Sequence, residues 1–147
     1  MANEPIKIVS LDTAQARVLA EGVPVHGAPS TGLPLHSNGR MGADMLHVAA
    51  GRQFPVHTHP GDHLLLCVAG AGTISVGGET YHVRPGDLYM VDGLVPHAVG
   101  AGDEDHYLVS IGSPHKPVDS PERMAFTDWD GGALASPINA DGSPAEL

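Results

Sequence analysis

Four histidines, at positions 57, 59, 63 and 97, are the side chains whose type and spacing best suit a chemical task. His57 and His59 are separated by one residue, so on a β-strand both side chains lie on the same face. His63 begins the next apolar run, after a Pro60-Gly61-Asp62 turn. Neutral imidazole binds first-row divalent ions, and we predict that His57, His59, His63 and His97 together bind one ion of Fe, Mn, Cu, Zn or Ni.

The composition narrows the setting in which such a site would work. A length of 147 residues predicts a single domain. The net charge of -10, from 17 acidic and 7 basic side chains, argues against nucleic acid or an anionic membrane as a partner. The N-terminus lacks the pattern of a signal peptide, and the single Cys67 forms no internal disulfide, so we expect a cytoplasmic protein.

Short runs of Val, Ile, Leu, Thr and Tyr alternate with Gly and Pro along most of the chain, which predicts an all-β fold. The predicted strands are Asp44–Ala50, Phe54–His59, His63–Val68, Gly72–Val76, Glu79–Val83, Asp87–Val91, His97–Gly100 and Asp105–Ile111. A short helix is predicted over Asp12–Ala20, capped by Asp12, and a single helical turn over Ser120–Phe126.

Two separated motifs in this sequence resemble the signature motifs of the cupins. The first is Gly51-x5-His57-x-His59-x3-His63-x6-Gly70, and the second runs from Pro85-Gly86-Asp87 to Val95-Pro96-His97. The resemblance implies a double-stranded β-helix, also called a jelly-roll barrel, with short N- and C-terminal extensions. We expect residues 1–43 to form an N-terminal arm that packs on the barrel, residues 44–115 the barrel core, and residues 116–147 a C-terminal extension.

The chain departs from the common cupin pattern at two places. His63 stands where most cupins have a glutamate ligand, so the resemblance implies a four-histidine cupin; alternatively, three histidines bind the metal and His63 only hydrogen-bonds near it. A neutral ligand shell leaves the charge of the ion uncompensated, which favours anionic ligands such as an enolate or a carboxylate. In the second motif, Asp92 and Leu94 replace the usual Pro and Gly, and Gly93 is shifted by one position.

Three functions follow from the resemblance. The first is a dioxygenase-type enzyme acting on a small enolic or phenolic substrate, with Fe, Mn or Cu bound by the four histidines as its catalytic centre. The second is a non-redox polyketide cyclase in which Zn or Ni acts as a Lewis acid. The third is a non-catalytic cupin that binds a metal or ligand. In each case we expect a homodimer, since exposed sheet edges need cover.

The period-two alternation of the strands also predicts which side chains line the pocket. The expected lining is apolar, which favours an uncharged or enolic substrate. It comprises Leu65, Cys67, Ile74, Val76, Leu88 and Met90.

Overall fold

The structure is a computed structural model, and it describes residues 5–145 as one helix and two facing β-sheets. The elements are α1 (Leu11–Glu21), β1 (Val23–Pro24), β2 (Ser30–Ser37), β3 (Gly42–Val48), β4 (His57–Thr58), β5 (Asp62–Ala69), β6 (Gly72–Val76), β7 (Glu79–Val83), β8 (Leu88–Val91), β9 (His97–Ala101), β10 (His106–Ser113) and β11 (Ala125–Phe126).

One sheet has the strand order β1-β2-β3-β10-β5-β8, and the other has the order β11-β4-β9-β6-β7. Every strand pair is antiparallel. This is the double-stranded β-helix that the sequence predicts, and the all-β fold class is confirmed. Each of the eight predicted strands overlaps an observed strand, although the run from Phe54 to His59 is regular only at His57 and Thr58.

The six-stranded sheet packs apolar side chains on both of its faces. Its inner face contributes residues such as Leu46, Leu65 and Leu108 to the core between the two sheets. Its outer face is covered in part by α1, where Ala14 and Val18 are fully buried in a second cluster. The alternation of the strands therefore sends one set of apolar side chains into the barrel and the other set under the helix.

The ends of α1 differ slightly from the prediction. Ser10 caps the helix, with its side-chain oxygen accepting a hydrogen bond from the Thr13 amide at 3.3 Å, and Asp12 lies inside the first turn. A carboxylate in the first turn still stabilises the helix, because it interacts favourably with the positive end of the helix dipole. The predicted helix is thus confirmed, but the predicted cap is wrong by two positions.

The two terminal regions contain strands that the alternation does not reveal. In the N-terminal region, β2 pairs with β3 along its length, so the six-stranded sheet extends upstream of residue 44. In the C-terminal region, the helical turn predicted over Ser120–Phe126 is wrong, because this segment consists of turns followed by β11. β11 pairs with β4 through Ala125 opposite Thr58 and Phe126 opposite His57.

Part of the predicted pocket lining is wrong because the phase of β8 is opposite to the one expected. Leu65 pairs across the sheet with Tyr89, so Tyr89 shares the inner face with Leu65. Leu88 and Met90 consequently point outward, and they are 61% and 68% exposed. Both phases of the Leu88–Val91 run carry apolar side chains, so alternation alone does not fix the inward one.

Among residues 5–145, α1 is far short of the length and apolarity that a membrane-crossing helix needs.

Candidate metal centre

Three of the four predicted histidines converge between the two sheets. His57 on β4 and His97 on β9 are direct cross-strand partners, and His59 follows β4 by one residue. All three are at least 96% buried. One ring nitrogen from each lies within 4.8 Å of those of the other two. The His-x-His spacing and the second motif therefore bring three imidazoles to one point, as the sequence predicts.

Hydrogen bonds to backbone carbonyls fix which nitrogen of each ring faces the centre. The Nδ1 atoms of His57, His59 and His97 lie 2.7 Å from the Pro55 carbonyl, 2.5 Å from the Gly61 carbonyl and 2.8 Å from the Val95 carbonyl, respectively. A carbonyl oxygen only accepts hydrogen bonds, so each Nδ1 carries the proton and each Nε2 keeps a lone pair. In proteins generally, a hydrogen bond from the other ring nitrogen orients a histidine that binds a metal.

The resulting arrangement calls for a cation. The Nε2 atoms of His59 and His97 lie only 3.0 Å apart. With both Nδ1 atoms protonated, no proton remains between them, and two facing lone pairs repel unless a positive charge lies nearby. A divalent ion coordinated by imidazole nitrogens at about 2.0–2.1 Å would relieve this repulsion. The donor set therefore fits a first-row divalent metal.

Burial keeps these imidazoles uncharged. It lowers the pKa of His57 well below its usual range, and the neighbouring His97 lowers it further. Burial also lowers the pKa of His97 to about 4, against the opposing effect of its bond to Val95. The pKa of His59 is lowered by burial too, opposed by its bond to Gly61. A metal ligand must be deprotonated, so the three rings are ready to bind at neutral pH.

His63 lies next to this group but is oriented differently. Its ring stacks on that of His59, with 3.9 Å between centroids and 14° between planes. Its Nδ1 lies 3.1 Å from the Ser110 hydroxyl, and its Nε2 edge faces Gly112, where an added Cβ would come within 2.9 Å. Burial lowers the pKa of His63 to about 2, and the charges around it add to this effect. Coordination by His63 stays a prediction, and it would require another orientation of the ring.

The histidines line a small cavity in the barrel, with a volume of about 30 Å³. Its other walls are mainly apolar, and they include the predicted lining residue Leu65. Three other predicted lining residues do not line it: Cys67 and Ile74 lie in the surrounding core, and Val76 is partly buried against that core. The remaining wall residues are Leu46, Phe54, Val99, Leu108, Ser110, Arg123 and Met124. A cavity needs about 10–15 Å³ to hold one water molecule, so in this conformation there is room for an ion and its water but not for an organic substrate.

A buried charged group beside the cavity was not predicted from the sequence. Arg123 donates through Nη1 to Asp44 Oδ2 at 3.0 Å, and His115 Nε2 lies 2.9 Å from the same oxygen. Asp44 is 1% exposed and Arg123 is 5% exposed. The His115 ring of this group occupies the space beside Gly42, where a Cβ would come within 2.5 Å of it.

The double-stranded β-helix and the histidine centre together define the chain as a cupin. The family model described as "Cupin domain" matches residues 44–117, which is half of the chain, and this protein belongs to that family. The match covers β3 to β10 and therefore all four predicted histidines.

Curated relatives of this chain carry the name L-ectoine synthase. The protein from Vibrio campbellii is 40% identical over 55 residues, which are 35% of this chain and 36% of that protein. The protein from Aliivibrio fischeri is 32% identical over 84 residues, which are 54% of this chain and 66% of that protein. The matched segments thus span about one third to two thirds of the length of these relatives.

Two solved structures with a similar fold are proteins that have been given names. The polyketide cyclase RemF from Streptomyces resistomycificus has a TM-score of 0.64 at 22% identity, over 86% of this chain and 89% of that chain. KdgF from Halomonas sp. has a TM-score of 0.56 at 20% identity, over 60% of this chain and 82% of that chain. At these identities the similarity shows the fold.

Proposed function

We propose that this cupin is a metal-dependent enzyme in which His57, His59 and His97 bind one divalent ion that acts as a Lewis acid on a small organic substrate. The observation that carries the proposal is the convergence of three deprotonated Nε2 atoms, two of them 3.0 Å apart, each oriented by a backbone carbonyl. Such an ion would polarise a carbonyl group and stabilise the enolate that forms when the neighbouring carbon loses a proton.

The surrounding residues have separate tasks in this reaction. Phe54, Leu65 and Met124 exclude water from the cavity, which strengthens electrostatic interactions inside it. His63 and Ser110 form a hydrogen-bonded pair at the cavity wall, where they can hydrogen-bond a polar group of the substrate. Because the cavity is small, a substrate would enter only when wall residues such as Phe54 and Met124 shift.

The non-redox chemistry is favoured by the names of similar proteins. The matched curated relatives are called L-ectoine synthase. Of the two solved structures compared above, the one that covers more of this chain is a polyketide cyclase. Neither name denotes a reaction with dioxygen. We therefore place the cyclase-type reaction ahead of the dioxygenase-type reaction that the sequence first indicated.

Dioxygenase-type chemistry stays a prediction because the ligand set does not select the metal. Three imidazoles suit iron, manganese and copper as well as zinc and nickel. A non-catalytic, ligand-binding role also stays open to experiment, since a metal centre by itself does not establish turnover.

The test begins with the metal content of protein purified without a histidine tag. Proton exchange at C2 of methyl acetoacetate in D₂O and oxygen uptake with the same compound are then measured. We expect one divalent ion per chain, faster C2 exchange than in buffer, and no oxygen uptake. His57→Ala should lose both metal and exchange, whereas His82→Ala, which changes an exposed histidine outside the site, should lose neither.

The other outcomes separate the alternatives. Bound iron, manganese or copper with substrate-dependent oxygen uptake would favour the dioxygenase. Bound metal with neither exchange nor uptake would favour the non-catalytic role. Protein that binds no divalent metal would contradict the proposal itself.

We also propose that the chain forms a homodimer. Ile6 and Ile8 are 68% and 87% exposed, and Ile6 contributes with Met41 to the wall of a shallow surface crevice. Contiguous exposed apolar patches commonly mark a contact surface. Light scattering after size-exclusion chromatography should give the mass of two chains; the mass of one chain, 15.2 kDa, would contradict the dimer.

A further inference from the structure

Among residues 5–145, Arg123 is the one arginine or lysine on the wall of the histidine cavity. It lies in the turns that follow β10, immediately before Met124 and β11, and it lines the cavity together with His59 and His63. The metal centre itself makes no use of this residue. A positive charge that is 5% exposed is costly to bury, so its place beside the centre needs an explanation.

Part of the guanidinium is held by the protein. Nη1 donates to Asp44 Oδ2 at 3.0 Å and to the Lys116 carbonyl at 2.7 Å, which occupies both protons of that nitrogen. Asp44 uses a single oxygen for this contact, and the same oxygen lies 2.9 Å from His115 Nε2. The ion pair is therefore end-on, and it fixes the orientation of the guanidinium without covering its other edge.

The other edge of the guanidinium has no protein partner. Within residues 5–145, neither Nε nor Nη2 of Arg123 makes a hydrogen bond, which leaves three N–H donors. Both nitrogens also have accessible surface. Within residues 5–145, the side-chain nitrogen and oxygen atoms that are fully enclosed and lack a partner belong to other residues, namely Asp44, Tyr89, His106 and Thr127. The Nε–Nη2 edge has the fork geometry that binds a carboxylate through two parallel hydrogen bonds.

We propose that Arg123 determines substrate specificity by binding a carboxylate of the substrate whose carbonyl group lies at the metal. This inference rests on the metal-dependent function proposed above and names the substrate class, a small carboxylic acid with an enolisable or otherwise activated carbonyl. It also departs from the expectation of an uncharged or enolic substrate, because the cationic side chain of Arg123 lies on the otherwise mainly apolar wall of the cavity. Charge-assisted hydrogen bonds of this type contribute about tenfold to a hundredfold in affinity.

The test compares acetoacetate with methyl acetoacetate, which share the β-keto group and differ in the carboxylate charge. Binding to the zinc-loaded protein and to the EDTA-treated protein is measured by calorimetry. We expect the wild type to bind acetoacetate at least tenfold more tightly than the ester. The double variant Asp44→Asn/Arg123→Gln removes the cation without leaving Asp44 charged and unpaired, and it should lose this preference while keeping its metal content and its affinity for the ester.

Two further variants keep the result interpretable if the double variant unfolds. Arg123→Lys retains the charge opposite Asp44 but not the fork, so it should keep only part of the preference. Arg84→Gln changes an exposed arginine elsewhere on the barrel and should leave the preference intact. Equal binding of the two probes by the wild type, or an undiminished preference in the folded double variant, would overturn the proposal.

The metal-free arm separates this proposal from the function on which it rests. If the protein binds no metal, the proposed function fails, yet EDTA-treated protein that still prefers acetoacetate in an Arg123-dependent manner would show the carboxylate site. If metal and C2 exchange are present but Arg123 does not affect the preference, the function stands and the specificity assignment is wrong.

Discussion

Replacing Gly93 with alanine should disturb the metal centre through the backbone that supports His59. The His59 amide donates to the Gly93 carbonyl at 2.8 Å, so the two segments are joined directly. A Cβ added to Gly93 would come within 2.1 Å of the Gly61 carbonyl oxygen, 2.4 Å of the His59 carbonyl oxygen and 2.6 Å of His59 Nδ1. Two of these three atoms belong to the backbone and cannot move aside by a side-chain rotation.

The expected loss of stability depends on which atoms the new Cβ clashes with. Overpacking a well-packed site costs about 1–3 kcal/mol, and contacts with backbone place Gly93→Ala in the upper half of that range. For a chain of this size, the melting temperature of the metal-free protein should fall by about 4–12 °C. The new methyl group also displaces the Gly61 carbonyl that orients His59, so the affinity for zinc should fall by about 10–100-fold.

The assay is thermal and urea unfolding of the metal-free protein, followed by a zinc titration against a competing chelator. Gly78→Ala is the matched control, because a Cβ at Gly78 meets no atom within 4 Å and its φ is not positive. The control should change stability by less than about 0.5 kcal/mol. The reasoning is refuted if Gly93→Ala matches the control both in unfolding and in zinc affinity.

Three further predictions concern stability. Burial lowers the pKa of His97 to about 4 in the folded protein, whereas a histidine in the unfolded chain titrates near 6.5. The metal-free protein should therefore have the full stability contribution of a neutral His97 above pH 6.5 and lose that contribution as the pH falls toward 4. Urea unfolding across this pH range checks the prediction, and a free energy of unfolding that does not change with pH would contradict it. Asp44→Asn should lower the free energy of unfolding by about 3–5 kcal/mol because it leaves Arg123 buried without its counter-ion, and the double variant with Arg123→Gln should lower it by less. Urea unfolding of the two single variants and the double variant measures the difference, and additive effects of the two substitutions would contradict an interaction between these residues. Gly72→Ala should lower stability by about 1–3 kcal/mol because its Cβ would meet the fully buried His106 ring at 2.4 Å, and a change no larger than that of Gly78→Ala would show that the ring can move.

The barrel and most of the candidate metal centre could be predicted from local sequence patterns. Strand alternation and turn dipeptides such as Gly77-Gly78 mark the hairpins, and His57 and His97 stand at fixed places in two cupin motifs. β2 escaped prediction because Gly32 and Pro34 break its alternation, and Pro34 lies at a register shift on the pair with β3. Proline is tolerated at such irregularities in a sheet, but its presence in a sequence does not predict a strand.

The charged part of the site could not be predicted, because it depends on contacts between distant parts of the chain. Arg123 and Asp44 are separated by 79 positions, and no periodicity relates them. The orientation of His63 has the same origin: its ring is placed by Ser110 and Gly112 on β10, which only the strand pairing brings alongside β5. Motifs thus indicate which histidines converge, and tertiary packing decides how their rings are oriented.

The central claim is that three Nε2 atoms bind one divalent ion. The most direct test is anomalous diffraction from crystals of the metal-loaded protein, recorded at the absorption edge of the metal found by elemental analysis. We expect a single strong peak about 2.0–2.1 Å from Nε2 of His57, His59 and His97, and its distance from His63 decides whether that residue is a fourth ligand. A metal bound elsewhere on the chain, or an empty position between these three rings in loaded protein, would contradict the account.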